Sequence, residues 1–150
     1  MFKFTSRNRR RLQAILTNRV NERCTQEMYG GSGERGPSRT PFVKALLVVP
    51  GTPKKWQFEN TFVALSRDIS ATGLSLCHTE RFEGELLIEI PGENNSTFAR
   101  MSVQHSTDLG HGYWQIGLKA EDLVELSHLD YAALTRRCAE IEEAVAASSE

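Results

Sequence analysis

The sequence predicts a small, mainly β fold: six antiparallel strands forming a barrel, with one α-helix before it and one after it along the chain. Three observations predict this fold class. Six apolar runs of strand length recur between residues 43 and 119, turn-forming residues separate them, and the flanking segments show helical spacing of apolar residues. Six strands in this length fit a barrel or a sandwich. Closure into a barrel protects the apolar face and the edges that a small open sheet exposes.

The strands are expected at 43–49, 57–67, 73–78, 85–90, 97–105 and 113–119. Alternation supports them, because Leu74 and Leu76, like Met101 and Val103, lie two residues apart and therefore share one face of a strand. The intervening segments 50–53, 91–95 and 109–112 are rich in glycine, proline and asparagine. These short connections favour antiparallel pairing of neighbouring strands.

Apolar residues at steps of three and four predict a helix over about 6–28, with Ser6 as its N-cap, and its apolar positions are Leu12, Ile15, Leu16, Val20, Cys24 and Met28. Arginines occupy most of the opposite face. The simplest interpretation is a solvated amphipathic helix, and a docking or anion-binding helix is the alternative. A second apolar stripe predicts the C-terminal helix and consists of Leu123, Leu126, Leu129, Leu134, Cys138, Ile141 and Val145.

Four segments follow from this organisation. Residues 1–29 form the basic amphipathic helix, and residues 30–38, rich in glycine, serine and proline, form a flexible linker. Residues 39–120 form the barrel, and residues 121–150 form the C-terminal helix and tail. The first ligand motif described below lies at the end of the linker.

The charge balance argues against a nucleic-acid-binding protein, because 18 basic and 19 acidic residues give a net charge of -1. A local basic patch remains between Arg7 and Arg23. The chain has no apolar run long enough for a secretory signal or a bilayer span, so a soluble, cytoplasmic protein is expected. Three scattered cysteines, Cys24, Cys77 and Cys138, form no disulfide or zinc pattern, which fits a reducing compartment.

Two motifs carry the functional prediction. Residues 68–73 read D-x-S-x-x-G between two predicted strands, and Arg35 and Arg39 form an R-x-x-x-R pair before the first strand. A carboxylate can accept hydrogen bonds from the N–H edge of guanine. A guanidinium can donate two parallel hydrogen bonds to guanine O6/N7 or to a phosphate. The two motifs together predict a split site for a guanine nucleotide that carries phosphates.

Position selects one arginine pair among three. R-x-x-x-R also occurs at Arg7 with Arg11 and at Arg19 with Arg23, but both of those pairs fall in the helical pattern. Only the pair Arg35 and Arg39 lies in a flexible segment directly before a strand, where it can fold over a ligand held on the barrel.

The order of these motifs and strands resembles the PilZ domain family of bacterial cyclic di-GMP receptors. The resemblance covers residues 35–120 and rests on Arg35, Arg39 and the D-x-S-x-x-G segment, and the residues 114–118 (WQIGL) resemble the last barrel strand of that family. It implies a six-stranded PilZ-type barrel, a cyclic di-GMP ligand, no cofactor and no catalysis.

The ligand-binding residues are then Arg35, Arg39, Asp68, Ser70 and Gly73. The arginines clamp the ligand, Asp68 accepts from guanine or holds an arginine, and Ser70 bonds to guanine or phosphate. Gly73 allows a tight turn and a close approach. The alternative for residues 68–73 is an Asx or Ser turn in which Asp68 and Ser70 bond to their own backbone.

No sequence pattern of a catalytic site is present, and the grouping of His105, Asp108 and His111 matches no zinc template. The sequence therefore predicts a non-catalytic receptor without a metal, which orders the linker on binding and so signals to a protein partner through the helices. Two alternatives remain open. One is a degenerate scaffold of the same fold that docks proteins without nucleotide, and the other is nucleic-acid binding through residues 7–23.

Overall fold

Eight strands, a 3-10 helix and one long helix make up the part of the chain that the computed structural model describes, which is residues 15–16, 40–92 and 96–148. In chain order the elements are β1 (Thr40–Pro41), β2 (Ala45–Thr52), β3 (Lys55–Trp56), the 3-10 helix (Phe58–Asn60), β4 (Phe62–Ser70), β5 (Gly73–His78), β6 (Glu85–Ile90), β7 (Thr97–Gly110), β8 (Tyr113–Val124) and α1 (His128–Ser148).

Six of the strands form a closed antiparallel barrel. They follow the order β4–β5–β8–β7–β6–β2, and β2 pairs again with β4, so the sheet closes on itself. The short strand β1 extends the pairing along β4, and β3 forms a hairpin with β2. The predicted six-stranded barrel is confirmed, and β5 and β6 have the predicted bounds.

The barrel interior is built by the alternation of side chains along each strand. In β5, Leu74 and Leu76 are fully buried inside, whereas Gly73, Ser75 and Cys77 lie on the outer side. The other strands contribute the rest of the interior cluster, which includes Leu46, Val48, Ala64, Ile69, Leu86, Ile88, Ala99, Met101, Ile116 and Leu118. One contiguous apolar core therefore fills the barrel.

A second core lies outside the barrel, where α1 and the 3-10 helix cover β2, β6 and the first part of β7. We call this surface the helix face. Val49, Leu87 and Phe98 point outward there and pack with Phe58 of the 3-10 helix and Leu134 of α1. Arg137 of α1 also donates a hydrogen bond of 2.9 Å from Nε to the carbonyl oxygen of Thr61. The helix is thus held by apolar packing and by one bond to the start of β4.

A capping box starts α1. The Ser127 hydroxyl accepts a hydrogen bond from the backbone N–H of Asp130, and the Asp130 carboxylate accepts one from the backbone N–H of Ser127, both at 3.1 Å. Two backbone donors that the helix leaves without partners are satisfied in this way.

The structure moves the predicted start of the C-terminal helix from 121 to His128, because β8 continues to Val124. Leu123 packs against the interior cluster and Val124 against the helix-face cluster, which is strand alternation rather than a helical stripe. The predicted second strand also begins later, at Phe62, because residues 58–60 form the 3-10 helix. Among the described residues, no helix has the length and apolarity needed to span a bilayer.

The predicted N-terminal helix and the linker 30–38 lie outside the described residues, except for Ile15 and Leu16. These two residues are helical, and Leu16 is fully buried in the interior cluster, with Ile15 packed against it. At least one residue of the predicted apolar stripe therefore belongs to the core of the barrel.

Candidate ligand-binding face

The D-x-S-x-x-G motif lies on the hairpin between β4 and β5. Asp68 and Ser70 end β4, Ala71 and Thr72 form the turn, and Gly73 begins β5. This hairpin is on the side of the barrel away from the helix face, and we call the outer surface of β4, β5, β8 and the second half of β7 the motif face. Arg35 and Arg39 lie outside the described residues.

Ser70 holds the turn together. Its hydroxyl oxygen, in a side chain 7% exposed, accepts a hydrogen bond of 3.3 Å from the backbone N–H of Thr72 and lies 3.5 Å from the carbonyl oxygen of Gly73, to which it can donate. The hydroxyls of Ser70 and Thr72 are 3.3 Å apart. The Ser turn that the sequence left open as an alternative is therefore present at Ser70.

Gly73 is required by the close approach of β5 to β8. A Cβ atom at this position would lie 2.0 Å from the carbonyl oxygen of Leu118, far inside van der Waals contact. The neighbour is backbone, so it cannot move aside as the end of a side chain can. The glycine of the motif thus has a structural role within the barrel, whether or not a ligand is bound.

Asp68 points to the outside of the barrel, half-buried. It pairs with Ser75 of β5, and its neighbour Ile69 points inward to the core. A bulge at Arg67 shifts the register between Ser66 and Asp68, which turns Arg67 and Asp68 to the same outer side. Arg67 donates a hydrogen bond of 2.7 Å from Nη1 to Oε1 of Gln115, so its exposed guanidinium reaches from β4 across β5 to β8.

Four neighbouring strands contribute a lateral row of residues to the motif face. Asp68 pairs with Ser75, Ser75 with Gly117, and Gly117 with His105. The middle of the row has the smallest side chains and its two ends carry an acid and an imidazole. We call these four residues the polar row.

Ser75 is an unusual member of the polar row. Its side chain is 1% exposed, and its hydroxyl has no hydrogen-bond partner among the described residues. A buried hydroxyl without a partner is costly, and such groups are rare in folded proteins.

The segment that follows Arg39 is anchored beside the motif. Thr40 pairs with Ile69 and Pro41 with Asp68, and the Phe42 side chain, 2% exposed, is part of the interior cluster. The start of the described chain at Thr40 is therefore in register with the D-x-S-x-x-G hairpin.

Ser66 fastens this segment to β4. Its fully buried hydroxyl donates a hydrogen bond of 2.6 Å to the carbonyl oxygen of Phe42 and accepts one of 2.9 Å from the backbone N–H of Lys44. These bonds satisfy backbone groups where the regular pairing of β1 and β2 with β4 is interrupted.

An aromatic cluster closes the other end of β5. The rings of Phe62 and Phe82 stack with their centroids 4.9 Å apart, and the His78 ring packs against both, at centroid distances of 4.7 and 5.5 Å. The Arg81 guanidinium lies over the Trp114 ring. Burial lowers the pKa of His78 below its usual value, and the charge of Glu80 partly offsets this effect.

Away from the motif face and the aromatic cluster, Arg100 of β7 forms ion pairs with Asp122 and Glu85. The hydrogen bond to Asp122 raises the pKa of Arg100, and the contact with Glu85 acts in the same direction.

The sequence analysis missed Arg67, Ser75, Gly117 and His105 as members of this face. His105 and Gly117 are distant from the motif in sequence and become its neighbours only through strand pairing, whereas Arg67 and Ser75 flank the motif and show their outward orientation only in the sheet. One signal was available: Gly117 stands between the apolar residues Ile116 and Leu118 of a predicted strand, and a glycine inside a strand often marks a close approach by another group.

No family model matches the chain, and no curated protein matches it. Among solved structures, the Bacillus subtilis inhibitor of motility (MotI/DgrA) is similar, with 18% sequence identity and a TM-score of 0.43 over 74% of this chain. The match covers 53% of that protein, so this chain spans about half of its length. The barrel assignment above rests on the strand pairing of this chain itself.

Proposed function

We propose that the chain is a non-catalytic cytoplasmic receptor of PilZ type that binds cyclic di-GMP on the motif face. In this proposal Asp68 accepts hydrogen bonds from a guanine, and Arg35 and Arg39 clamp the guanine or the phosphates. Ser70 and Gly73 shape the hairpin that carries the site. Cyclic di-GMP is the ligand, and no cofactor is required.

The register of β1 is the observation that carries the proposal. Pro41 is opposite Asp68 and Thr40 is opposite Ile69, so the residue bonded to Arg39 is itself a cross-strand neighbour of the motif. Successive Cα atoms are about 3.8 Å apart, which limits how far Arg39 can be from the hairpin. This register supports the proposal that Arg39 and the D-x-S-x-x-G hairpin act on one ligand.

The chemistry of the motif face supports the same ligand. The carboxylate of Asp68 suits the N–H edge of guanine, and the exposed guanidinium of Arg67, held by Gln115, adds a cation for a phosphate. A dinucleotide with two guanines and two phosphates can use both the carboxylate and the guanidinium.

We further propose that the bound ligand changes the conformation of residues 30–38, which carry Arg35 and end next to Arg39, and so changes the surface that a protein partner contacts. The cost of ordering a glycine-rich segment then couples ligand occupancy to the signal.

Isothermal titration calorimetry with cyclic di-GMP tests the proposal, with GTP and cyclic di-AMP as competing ligands. Arg39→Ala should weaken binding about tenfold or more, because it removes a charge-assisted contact. Arg19→Ala is the matched control, since Arg19 belongs to another R-x-x-x-R pair in the same chain. Equal affinity of both variants, or no binding to the folded wild-type protein, would contradict the proposal.

A degenerate scaffold that docks a protein without nucleotide is the second candidate. Two observations favour it: Ser70 and Gly73 are explained by the turn and by the approach of β5 to β8, and Val43, Val63 and Leu65 are exposed apolar side chains beside the motif. If titration shows no nucleotide binding, Leu65→Asp should abolish the activity in the cell, whereas Arg39→Ala should leave it unchanged.

A further inference from the structure

The His105 ring lies with its face against Gly117. A Cβ atom at Gly117 would be 2.3 Å from Cε1, 2.5 Å from Nε2 and 2.9 Å from Nδ1 of His105. If the edge of the ring pointed at Gly117, both nitrogens would be much farther away than Cε1. The three similar distances therefore mean that the ring covers Gly117, in the space where any other residue would have a side chain.

The second face of the ring is directed away from the sheet, and His105 is exposed. An aromatic ring that is supported on one side and open on the other is the arrangement on which nucleic-acid-binding proteins stack bases. Glycine at position 117 gives this support, because it lets the ring lie close to the backbone of β8.

The polar row connects His105 to Asp68. Three strand spacings separate the two residues, which is roughly 14 Å at the usual distance between strands. Between them lie only Ser75 and Gly117, so no large side chain of the row stands between its ends. Ser75, in the middle of the row, is 1% exposed, and its hydroxyl has no hydrogen-bond partner among the described residues.

We propose that the polar row is the binding surface for both halves of one cyclic dinucleotide: Asp68 reads the edge of one guanine, and His105 stacks on the other base. This inference rests on the proposed function and deepens it, since it assigns the second base to a residue outside both sequence motifs. Arg67, fixed by Gln115 beside the row, faces the sugar-phosphate ring that joins the two bases. A ligand with one base cannot occupy both ends.

Titration of His105 variants with cyclic di-GMP tests the inference. His105→Ala should weaken binding about 5- to 100-fold, the range of affinity that a base–aromatic stack contributes. His105→Phe keeps a ring over Gly117 and should bind within about threefold of wild type, because stacking is retained. His111→Asn is the matched control. His111 lies in the same hairpin at φ 57, a conformation that asparagine tolerates, and its replacement should leave affinity unchanged.

Nuclear magnetic resonance of the His105 ring gives a second measurement. Saturation of the wild-type protein with cyclic di-GMP should move the ring-proton signals of His105 upfield, and those of His111 should stay in place. Wild-type binding together with unchanged affinity in His105→Ala and unmoved His105 signals would overturn this inference and leave the proposed function intact. Absence of binding to wild-type protein would overturn both, so the two failures are distinguishable.

Discussion

The two outer faces of the barrel follow the same strand alternation and differ in what the outward positions carry. On the helix face, Val49, Leu87 and Phe98 point outward and are buried under α1 and the 3-10 helix. On the motif face, Asp68, Ser75 and Gly117 point outward, and no helix among the described residues packs on them. The apolar outer face is covered by α1 and the 3-10 helix, whereas the outward positions of the motif face carry polar and small residues, among which Ser75 is only 1% exposed.

The apolar pattern of each strand indicates whether its outer side is covered by a helix. Residues 86–88 (LLI) are apolar without interruption, and their side chains alternate between the interior and the helix-face core. Residues 73–76 (GLSL) alternate between small and large residues, and only the leucines are needed inside. Continuous apolar strands are therefore covered on both sides, as in strands that helices pack against.

The largest expected change in stability comes from a substitution in the core of the helix face. Leu134→Ala should lower the free energy of unfolding by about 2–5 kcal/mol, because it removes a side chain 6% exposed from the second core. Leu129→Ala, at a position 82% exposed on the same helix, should change it by less than about 0.5 kcal/mol. Denaturant unfolding of both variants measures the difference, and equal values would show that α1 does not depend on this core.

On the motif face, the strongest effect on stability should come from the seam between β5 and β8. Gly73→Ala should cost about 3 kcal/mol, because its Cβ would meet the Leu118 carbonyl oxygen at 2.0 Å. Gly84→Ala has open space but φ +82, so conformational strain alone should cost about 1 kcal/mol. Thermal and denaturant unfolding separate the two costs. A Gly73→Ala variant as stable as Gly84→Ala would contradict the close approach.

Substitution of two buried serines compares a hydroxyl that has hydrogen-bond partners, that of Ser66, with one that has none among the described residues, that of Ser75. Ser66→Ala should cost about 2 kcal/mol, because the carbonyl of Phe42 and the N–H of Lys44 would lose their partner. Ser75→Ala should leave the free energy of unfolding unchanged or raise it, because its hydroxyl has no partner among the described residues. Chemical unfolding of the two purified variants gives the sign directly, and a large loss in Ser75→Ala would mean that the hydroxyl is bonded in solution.

The smallest effect concerns pH. The folded protein keeps His78 neutral at pH values where the unfolded chain already takes up a proton, because burial lowers its pKa below about 6.5. The unfolded state then binds more protons, so the free energy of unfolding should fall as pH decreases from 6.5 to the lowered pKa. His78→Phe should flatten this part of the stability curve. Parallel curves for wild type and variant would exclude His78 as the cause.

The sequence predicted the barrel because its signals are local. Strand alternation and turn residues located β5 and β6 to the residue. The end of β8 was wrong because Leu123, Leu126 and Leu129 fit a helical step of three equally well, and only packing shows that Leu123 belongs to a strand. The 3-10 helix at 58–60 was missed for a similar reason, since the sequence marks Phe58 as apolar without showing whether it is buried from a strand or from a 3-10 turn.

The candidate site was predicted only where its residues are contiguous. The hairpin with Asp68, Ser70 and Gly73 was located from its turn chemistry, but its Ser turn was left as an alternative. His105 and Gly117 become neighbours through pairing of β7 with β8 and a bulge that shifts its register. Such a register depends on the whole sheet, so a single strand cannot reveal it.

The polar row also has a consequence for how the protein folds. Asp68 and Ser75 come from one hairpin, Gly117 and His105 from another, and the pairing of β5 with β8 joins the two hairpins late along the chain. Hairpins form in microseconds, whereas distant pairings close large loops and are slower. The row exists only once this seam has formed, so a ligand that spans it binds the completed barrel and not the separate hairpins. By mass action, such a ligand shifts the folding equilibrium toward the closed barrel.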